Sequence, residues 1–145
     1  MNISRILYVI ITYPQRLRHR LGYGVQSPWA YEMVRDVLFE SLYYYSYEEQ
    51  NIKTSSDRQL WRLENFFRKG EFVYVSSGSG ASEIYEQTAQ MAGENTAFVV
   101  DGLFGDNASL WKQILNDPRA TVTFDLGRRG LVTFDKKRIK QNYIL

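Results

Sequence analysis

A segment rich in glycine and serine follows a short apolar run, and its residues could bind a nucleotide or a cofactor. Phe72–Val75 has the pattern of a β-strand, Ser76-Ser77-Gly78-Ser79-Gly80 comes next, and a helical pattern begins near Ala81. Doubly wound folds use such a turn to bring backbone N–H groups close to a phosphate or cofactor group. The spacing is G-x-G without a third glycine, and the missing Gly-Lys-Ser/Thr excludes a P-loop. The pattern therefore predicts either a cofactor loop with contacts at Ser76, Ser77, Gly78 and Gly80, or a tight strand-to-helix turn without a ligand.

Asp101 stands at a second position where open α/β sheets bind ligands. Ala97–Val100 predicts a buried strand, and Asp101 follows at its carboxyl end. A carboxylate there could serve as the acid that holds a ribose in dinucleotide-binding folds. The alternative is an Asx turn or helix cap for Gly102 and the loop to Asn107. Asp106 and Asn107 are themselves expected to cap the helix that follows.

The composition excludes several classes of function. The 145 residues include no cysteine, which excludes a disulfide scaffold, a thiol nucleophile and a thiolate zinc site. His19 is the one histidine of the sequence, so a multi-histidine metal site is excluded and a Ser-His-Asp hydrolase is disfavoured. Lys and Arg number 18 against 16 acidic residues, so no nucleic-acid partner is expected. The cytoplasm is the default compartment.

The N-terminal part of the chain combines an apolar run with a basic end. Ile6–Ile11 follows Arg5 and is far shorter than the ~20 residues that a membrane-spanning helix needs, so no membrane span is predicted. A group of cationic side chains comes after it: Arg16, Arg18, His19 and Arg20. The pattern predicts an amphipathic helix whose basic end is solvated. The alternative is a helix that binds a membrane surface or an anionic partner.

Two further helices are predicted in the front half. Ser27 is a good N-cap and Pro28 suits the first helical position, so one helix runs from here to about Leu42. The other is capped near Ser55 or Ser56 and is ended by Gly70. The tyrosines between them are expected to pack the helices together, and stacking on a base is the alternative; they are Tyr43, Tyr44, Tyr45 and Tyr47.

The back half has the order strand, helix, strand, helix and hairpin. Helices are predicted over 81–91 and from about 107 to 115, and the hairpin strands over 121–126 and 131–134. Arg128 and Arg129, in the hairpin turn, are expected to be solvated, as is the basic run 136–138. The first two strands should be parallel and joined by a right-handed crossover. The sequence thus predicts one α/β domain over 1–145, with a helical cap region over 1–70 and an α/β core over 71–145.

Three stretches of the chain carry a family resemblance. Arg18–Trp29 (RHRLGYGVQSPW) is similar to the signature G-x-G-V-x-S-P-aromatic, Phe72–Ser82 (FVYVSSGSGAS) to a first strand with its cofactor loop, and Phe98–Phe134 to a fifth strand, its helix and a terminal antiparallel hairpin. Together they resemble the class I S-adenosylmethionine-dependent methyltransferases, of the O-methyltransferase-like kind with a helical N-terminal cap. The resemblance implies a truncated Rossmann-like sheet of two parallel strands plus the hairpin, with S-adenosylmethionine contacts at Ser76, Ser77, Gly78, Gly80 and Asp101.

The departures from the family pattern bear on activity. Tyr74 and Ser76 stand where the family usually has an acid, and the second to fourth strands, which carry the ribose-holding acid and the adenine contacts, are missing before Asp101. Each acceptor lost from a buried polar site typically costs ~1–3 kcal/mol. The resemblance therefore favours a shortened, non-catalytic protein that binds S-adenosylmethionine weakly or not at all and acts as a binding or interaction module. The alternative is an active methyltransferase that holds the cofactor weakly at the Ser76–Gly80 loop.

The same missing strands have a consequence for association. They leave one side of Phe72–Val75 without a neighbouring strand, and this segment has no Lys, Pro or inward charge to protect an edge. A homodimer through the 72–75 edge is therefore expected, unless the N-terminal helices cover it.

Overall fold

A mixed β-sheet forms the back half of the protein in the computed structural model, which describes residues 2–78 and 80–145. Five strands are described there: β1 (Phe72–Val75), β2 (Ala97–Asp101), β3 (Val122–Asp125), β4 (Arg129–Thr133) and β5 (Gln141–Ile144). They lie in the order β1-β2-β4-β3-β5, with β1 parallel to β2, β3 parallel to β5, and β4 antiparallel to both β2 and β3. The predicted parallel pair and antiparallel hairpin are confirmed, and the α/β class is correct.

Helices account for most of the front half and for both faces of the sheet. In the front half they are α1 (Ile3–Ile11), α2 (Tyr13–Arg20), α3 (Pro28–Glu32), a π-helical segment (Met33–Leu38), α4 (Ser46–Glu49) and α5 (Ser55–Phe66). In the back half they are α6 (Ala81–Met91) and α7 (Ala108–Asn116). None of the helices in the described part of the chain is long and apolar enough to cross a membrane.

The helix boundaries follow from local capping. The Ser27 hydroxyl accepts a hydrogen bond from the Ala30 N–H, so the predicted cap of α3 is confirmed. Thr54, rather than Ser55 or Ser56, caps α5 by accepting from the Asp57 N–H. The helix that begins at Pro28 ends as the π-helical segment at Leu38, short of the predicted Leu42.

The side chains of β2 alternate between two apolar clusters. Val99 belongs to the cluster that packs on the front-half helices, with Met33, Leu63 and Phe124. Phe98 and Val100 belong to the cluster that packs on α6 and α7 through side chains that include Tyr85, Leu110, Trp111 and Ile114. Because successive residues of a strand point to opposite faces, the helical cap covers one face of the sheet and α6 and α7 cover the other.

Two arginines attach the first helices to the sheet. Asp125 is buried at the end of β3, and its Oδ1 lies 2.6 Å from Nη2 of Arg5 and 3.1 Å from Nη1 of Arg16. Arg16 also donates to the carbonyl oxygen of Leu145 at 2.9 Å, beside β5. The prediction that Arg16 is solvated is wrong, because only 1% of this side chain is exposed, whereas Arg18 is exposed as predicted.

The tyrosine cluster packs helices, as predicted. Tyr47 is buried, and its ring meets those of Tyr44 and Trp61 edge to face, with ring centroids 5.5 and 5.2 Å apart. Trp61 belongs to α5, so the contact joins that helix to the segment before it. Tyr45 lies outside this packing and is exposed.

The two edges of the sheet differ. β5, which the sequence pattern does not predict because it begins with Gln141 and Asn142, is covered by α2, where Nδ1 of His19 lies 2.7 Å from the carbonyl oxygen of Ile144. β1 forms the opposite edge and pairs with β2 on its inner side.

Candidate functional site

A cavity of about 1010 Å³ lies between the helical cap and the carboxyl ends of β1 and β2. Open α/β sheets bind ligands at this end of their strands, and the volume is that of a small-molecule site. The cap contributes Ile6 of α1, the segment after the π-helical turn and the first two turns of α5. The sheet contributes the loop after β1, the end of β2 and the β3–β4 turn. The lining residues with polar side chains are Glu40, Ser55, Ser56, Gln59, Arg62, Ser77, Asp101, Arg128 and Arg129.

The predicted loop contacts are only partly at the cavity. Ser77 and Asp101 line it, while Ser76, Gly78 and Gly80 lie in the same loop but are not among its described lining residues. Ser79, the middle residue of the G-x-G pattern, lies outside the described residues. The backbone of Gly80 has φ +94°, in the left-handed region, and leads directly into α6. Glycine is needed here because L side chains rarely adopt this conformation.

The strand ends pack closely where the loop meets Asp101. Gly102 has φ +85°, and a Cβ at this position would lie 3.0 Å from the Cβ of Ser77. Asn107 stands before α7, but its side chain does not cap that helix as predicted. Its Nδ2 instead donates to the carbonyl oxygen of Asp101 at 2.7 Å, which ties the end of β2 to the start of α7.

Three hydrogen bonds hold the carboxylate of Asp101. Arg129 donates from Nε to Oδ1 at 2.7 Å and from Nη2 to Oδ2 at 3.0 Å, which makes a bidentate ion pair. The Tyr74 hydroxyl donates to Oδ2 at 2.6 Å. The alternative of an Asx turn or helix cap at Asp101 is wrong, because the carboxylate accepts from these side chains and from no backbone N–H of the described residues. A carboxylate offers about four acceptor positions, of which three are in use.

Arg129 also binds the cap. Its Nη1 donates to the carbonyl oxygen of Ser56 at 2.9 Å and to Oε1 of Gln59 at 3.1 Å, and its Nη2 donates to Oγ of Ser56 at 2.9 Å. Both partners belong to α5, so Arg129 joins a cap helix to β2. The prediction that Arg129 is solvated is wrong, since its side chain is 7% exposed, whereas Arg128 is exposed as predicted.

The sequence contains one signal for the Asp101–Arg129 ion pair, which hydrophobic periodicity alone does not reveal. Asp101 and Arg129 are direct partners in the antiparallel register of β2 and β4. Opposite charges at such positions attract each other, so an alignment of the two strands would have placed Arg129 on Asp101. The contacts to Ser56 and Gln59 have no such signal, because a fold-specific approach of α5 creates them.

Tyr74 acts as a hydrogen-bond donor to Asp101. Burial raises the pKa of the Tyr74 phenol above 10.0, and its hydrogen bond to the Asp101 carboxylate raises the pKa further. The phenol therefore keeps its proton at neutral pH and remains a donor to Asp101.

Two further polar residues of the cavity wall support the cap. Arg62 donates from Nη2 to the carbonyl oxygen of Leu38 at 3.1 Å, and Gln59 donates from Nε2 to the same oxygen at 3.1 Å. This oxygen belongs to the last residue of the π-helical segment, whose final carbonyl groups need partners outside the helix. Arg62 and Gln59 thus join α5 to the π-helical segment within the cap.

No group of three or more His, Cys, Asp or Glu side chains that could hold a metal ion occurs within residues 2–78 and 80–145.

Comparison of the chain with protein-family models, with curated proteins and with solved structures finds no match.

Proposed function

We propose that the protein is a shortened, non-catalytic methyltransferase-like protein that acts as a binding or interaction module. The succession of β1, glycine-rich loop, α6, β2, α7 and hairpin supports the proposal, since it follows the order of the three resembling stretches. The observation that carries it is the carboxylate of Asp101, which lines the same cavity as Ser77 of the loop and already binds Arg129 and Tyr74. A ribose or a metal ion would have to compete with this ion pair.

The cavity wall is poor in groups that could move a proton. Its described lining residues include two carboxylates, Asp101 and Glu40, and no histidine, lysine or tyrosine. The Glu40 Oε1 accepts from the backbone N–H of Leu42 at 2.9 Å and so serves the local turn. General acid–base catalysis needs a positioned group within reach of the substrate proton. Both carboxylates are engaged elsewhere, which supports a role in binding rather than in catalysis.

Calorimetric titration with S-adenosylmethionine and with its demethylated product tests the proposal. Because several cofactor contacts of the family are lost, we expect a dissociation constant weaker than about 100 μM. Two tyrosine substitutions distinguish cofactor binding in the cavity from binding elsewhere on the surface. Ser77→Tyr would fill the cavity beside Asp101, and Ser109→Tyr, at an exposed serine of α7, is the matched control.

An active methyltransferase is the second candidate, and the size of the cavity favours it. The volume of about 1010 Å³ at the carboxyl ends of two parallel strands is large enough for a nucleoside cofactor. A low-micromolar dissociation constant that Ser77→Tyr abolishes and Ser109→Tyr leaves unchanged would establish cofactor binding in this cavity and overturn the non-catalytic proposal.

We further propose a homodimer in which two copies pair through the outer edge of β1. Within the described residues, no backbone hydrogen bond from another segment reaches that edge. The cap packs against the face of β1 through Phe72, which leaves the edge itself open. An open apolar edge strand is a template for another strand, and a two-fold axis is the simplest arrangement.

Light scattering at high micromolar concentration tests the dimer. Val73→Lys and Val75→Lys place a charge on β1 and should give monomers, while Asn142→Lys, on the opposite edge strand β5, should leave the dimer intact. Melting temperatures of all variants check that they are folded. A parent protein that is monomeric at this concentration would refute the dimer.

The proposed compartment is the cytoplasm, which suits a chain without cysteine because it needs no oxidising environment to fold. No nucleic-acid partner is proposed, since the basic and acidic residues are nearly balanced at 18 to 16.

A further inference from the structure

The first two helices expose an apolar stripe on the outside of the cap. Its members follow one another at helical spacing through α1, α2 and the residue that ends α2, and more than two fifths of each is accessible to solvent: Ile3, Leu7, Ile10, Ile11, Leu17 and Leu21. Ile11 reaches 75% exposure. Single exposed apolar residues are ordinary on a protein surface, but a continuous stripe of this length marks an interaction site.

α1 is apolar around most of its circumference, and yet none of its residues is buried. A helix of this composition is normally enclosed by the protein or by lipid. Its inner side is half-buried against the protein, where Ile6 lines the cavity. Its outer side has no cover in the described residues.

The ion pairs to Asp125 fix the direction in which the stripe faces. Arg5 and Arg16 project inward and meet Asp125 at the end of β3, on the opposite side of the helices from the stripe. The apolar side chains therefore cannot turn inward without breaking these contacts. The fold presents the stripe outward on two anchored helices.

The charge around the stripe indicates what covers it. Residues 1–31 contain four of the 18 basic residues and none of the 16 acidic residues. Arg5 and Arg16 are paired with Asp125, so the positive charge near the stripe comes from Arg18 and Arg20. Arg18 is exposed and Arg20 is partly exposed, both on α2. A second copy of this surface would carry the same positive charge and repel it, whereas an anionic surface would attract it.

From the stripe and its charge we infer that α1 and α2 lie on an anionic lipid surface, with the stripe inserted between the headgroups and Arg18 beside them. An interfacial helix has an apolar face, cationic flanks and amphipathic aromatic side chains at the boundary. Tyr8, Tyr13 and Tyr23 are all exposed on this part of the cap and supply the aromatic groups. This inference does not depend on what the cavity binds.

Sedimentation with lipid vesicles tests the inference on the full chain. The parent protein should bind phosphatidylcholine vesicles that contain about 30% phosphatidylserine at least about tenfold more strongly than vesicles of phosphatidylcholine alone. The binding should weaken when the ionic strength rises, because salt screens the contribution of the arginines.

Substitutions on and off the stripe locate the contact. Ile10→Ser combined with Ile11→Ser should lower the partition coefficient at least about tenfold, and Arg18→Gln should lower it about fivefold on anionic vesicles. Ile139→Ser removes an apolar side chain that lies outside the stripe and is at least as exposed, and it should leave binding unchanged. Circular dichroism checks the fold of each variant, and Leu7→Ser and Leu17→Ser replace the double variant if it does not fold.

Three results would overturn the inference. One is a parent protein that stays in the supernatant with anionic vesicles at low salt. Another is an equal loss of binding in Ile139→Ser. The third is a parent dimer in light scattering that the stripe variant converts to a monomer, which would assign the stripe to a second copy of the chain.

Discussion

Replacing Arg129 by alanine should weaken the contact between the helical cap and the sheet. The substitution removes the two hydrogen bonds to Asp101 and the three to Ser56 and Gln59 of α5. It also leaves the carboxylate of Asp101 without its counter-ion, while the Tyr74 hydroxyl still donates to it. The effect on stability therefore comes mainly from an uncompensated charge.

The magnitude follows from the burial of the two partners. Removing one member of a buried ion pair typically costs ~3–5 kcal/mol. The Asp101 side chain is 24% exposed, so water can partly solvate the orphaned carboxylate, and we expect the lower end, about 3 kcal/mol. For a chain of this length that corresponds to a melting temperature lower by about 10 °C.

Chemical and thermal unfolding of a double-mutant cycle measures the effect. Arg128→Ala is the matched control, because the neighbouring arginine is exposed and should change the free energy of unfolding by less than about 0.5 kcal/mol. Asp101→Asn removes the charge but keeps an acceptor. The variant that combines Asp101→Asn with Arg129→Ala should be less destabilised than the sum of the single variants by about 1–3 kcal/mol. Equal stability of the Arg128 and Arg129 variants, or strict additivity in the cycle, would refute the reasoning.

Two other predictions concern the glycine turn and the acid limb of stability. Gly80→Val should destabilise the protein by about 1–3 kcal/mol because of its positive φ, while Gly93→Val, where a Cβ also meets open space but φ is ordinary, should have little effect in the same denaturant series. If both valines cost the same, the backbone argument fails. Hydrogen bonds from Arg119 lower the pKa of Asp117 from 3.8 to about 2. The stability that this pair contributes is therefore present above pH 3.8 and is lost as the pH falls toward 2. Asp117→Asn should lower the free energy of unfolding by about 1 kcal/mol at neutral pH, after allowance for solvent screening. It should also reduce the loss of stability between pH 4 and 2, and an unchanged loss of stability over that range would contradict the assignment.

The parts of the fold that the sequence predicts are those set by local patterns. β1 and α6 have the predicted ends, Phe72–Val75 and Ala81–Met91, because glycine-containing segments bound short apolar or periodic runs there. β2 and the two hairpin strands are also predicted from local patterns, and their ends differ from the prediction by one or two residues. β5 escapes prediction because its polar first residues give no strand pattern, and its position comes from pairing with β3.

The parts that escape the sequence are those set by contacts between distant segments. Arg16 and Asp125 are 109 residues apart along the chain, and Arg129 is 73 residues from Ser56. Arginines near helix ends and in hairpin turns are usually solvated, so their burial follows only from the packing of the cap on the sheet. For the candidate site, the position of Asp101 at the cavity and its pairing with Arg129 are predictable from the alignment of β2 with β4, but the contacts of Arg129 to Ser56 and Gln59 are not.

Both ion-pair clusters lie at the same end of the sheet, where β2 and β3 finish, and this explains why the acids beside the candidate site are already paired. Asp101 ends β2 and Asp125 ends β3, two strands that run in the same direction on either side of β4. Open α/β sheets hold their ligands at the carboxyl ends of their strands. Here Arg5 and Arg16 of the cap bind Asp125, and Arg129 binds both Asp101 and the cap helix α5. The acidic groups that could face a ligand therefore attach the cap, which is the physical reason why we propose a binding or interaction role in place of catalysis.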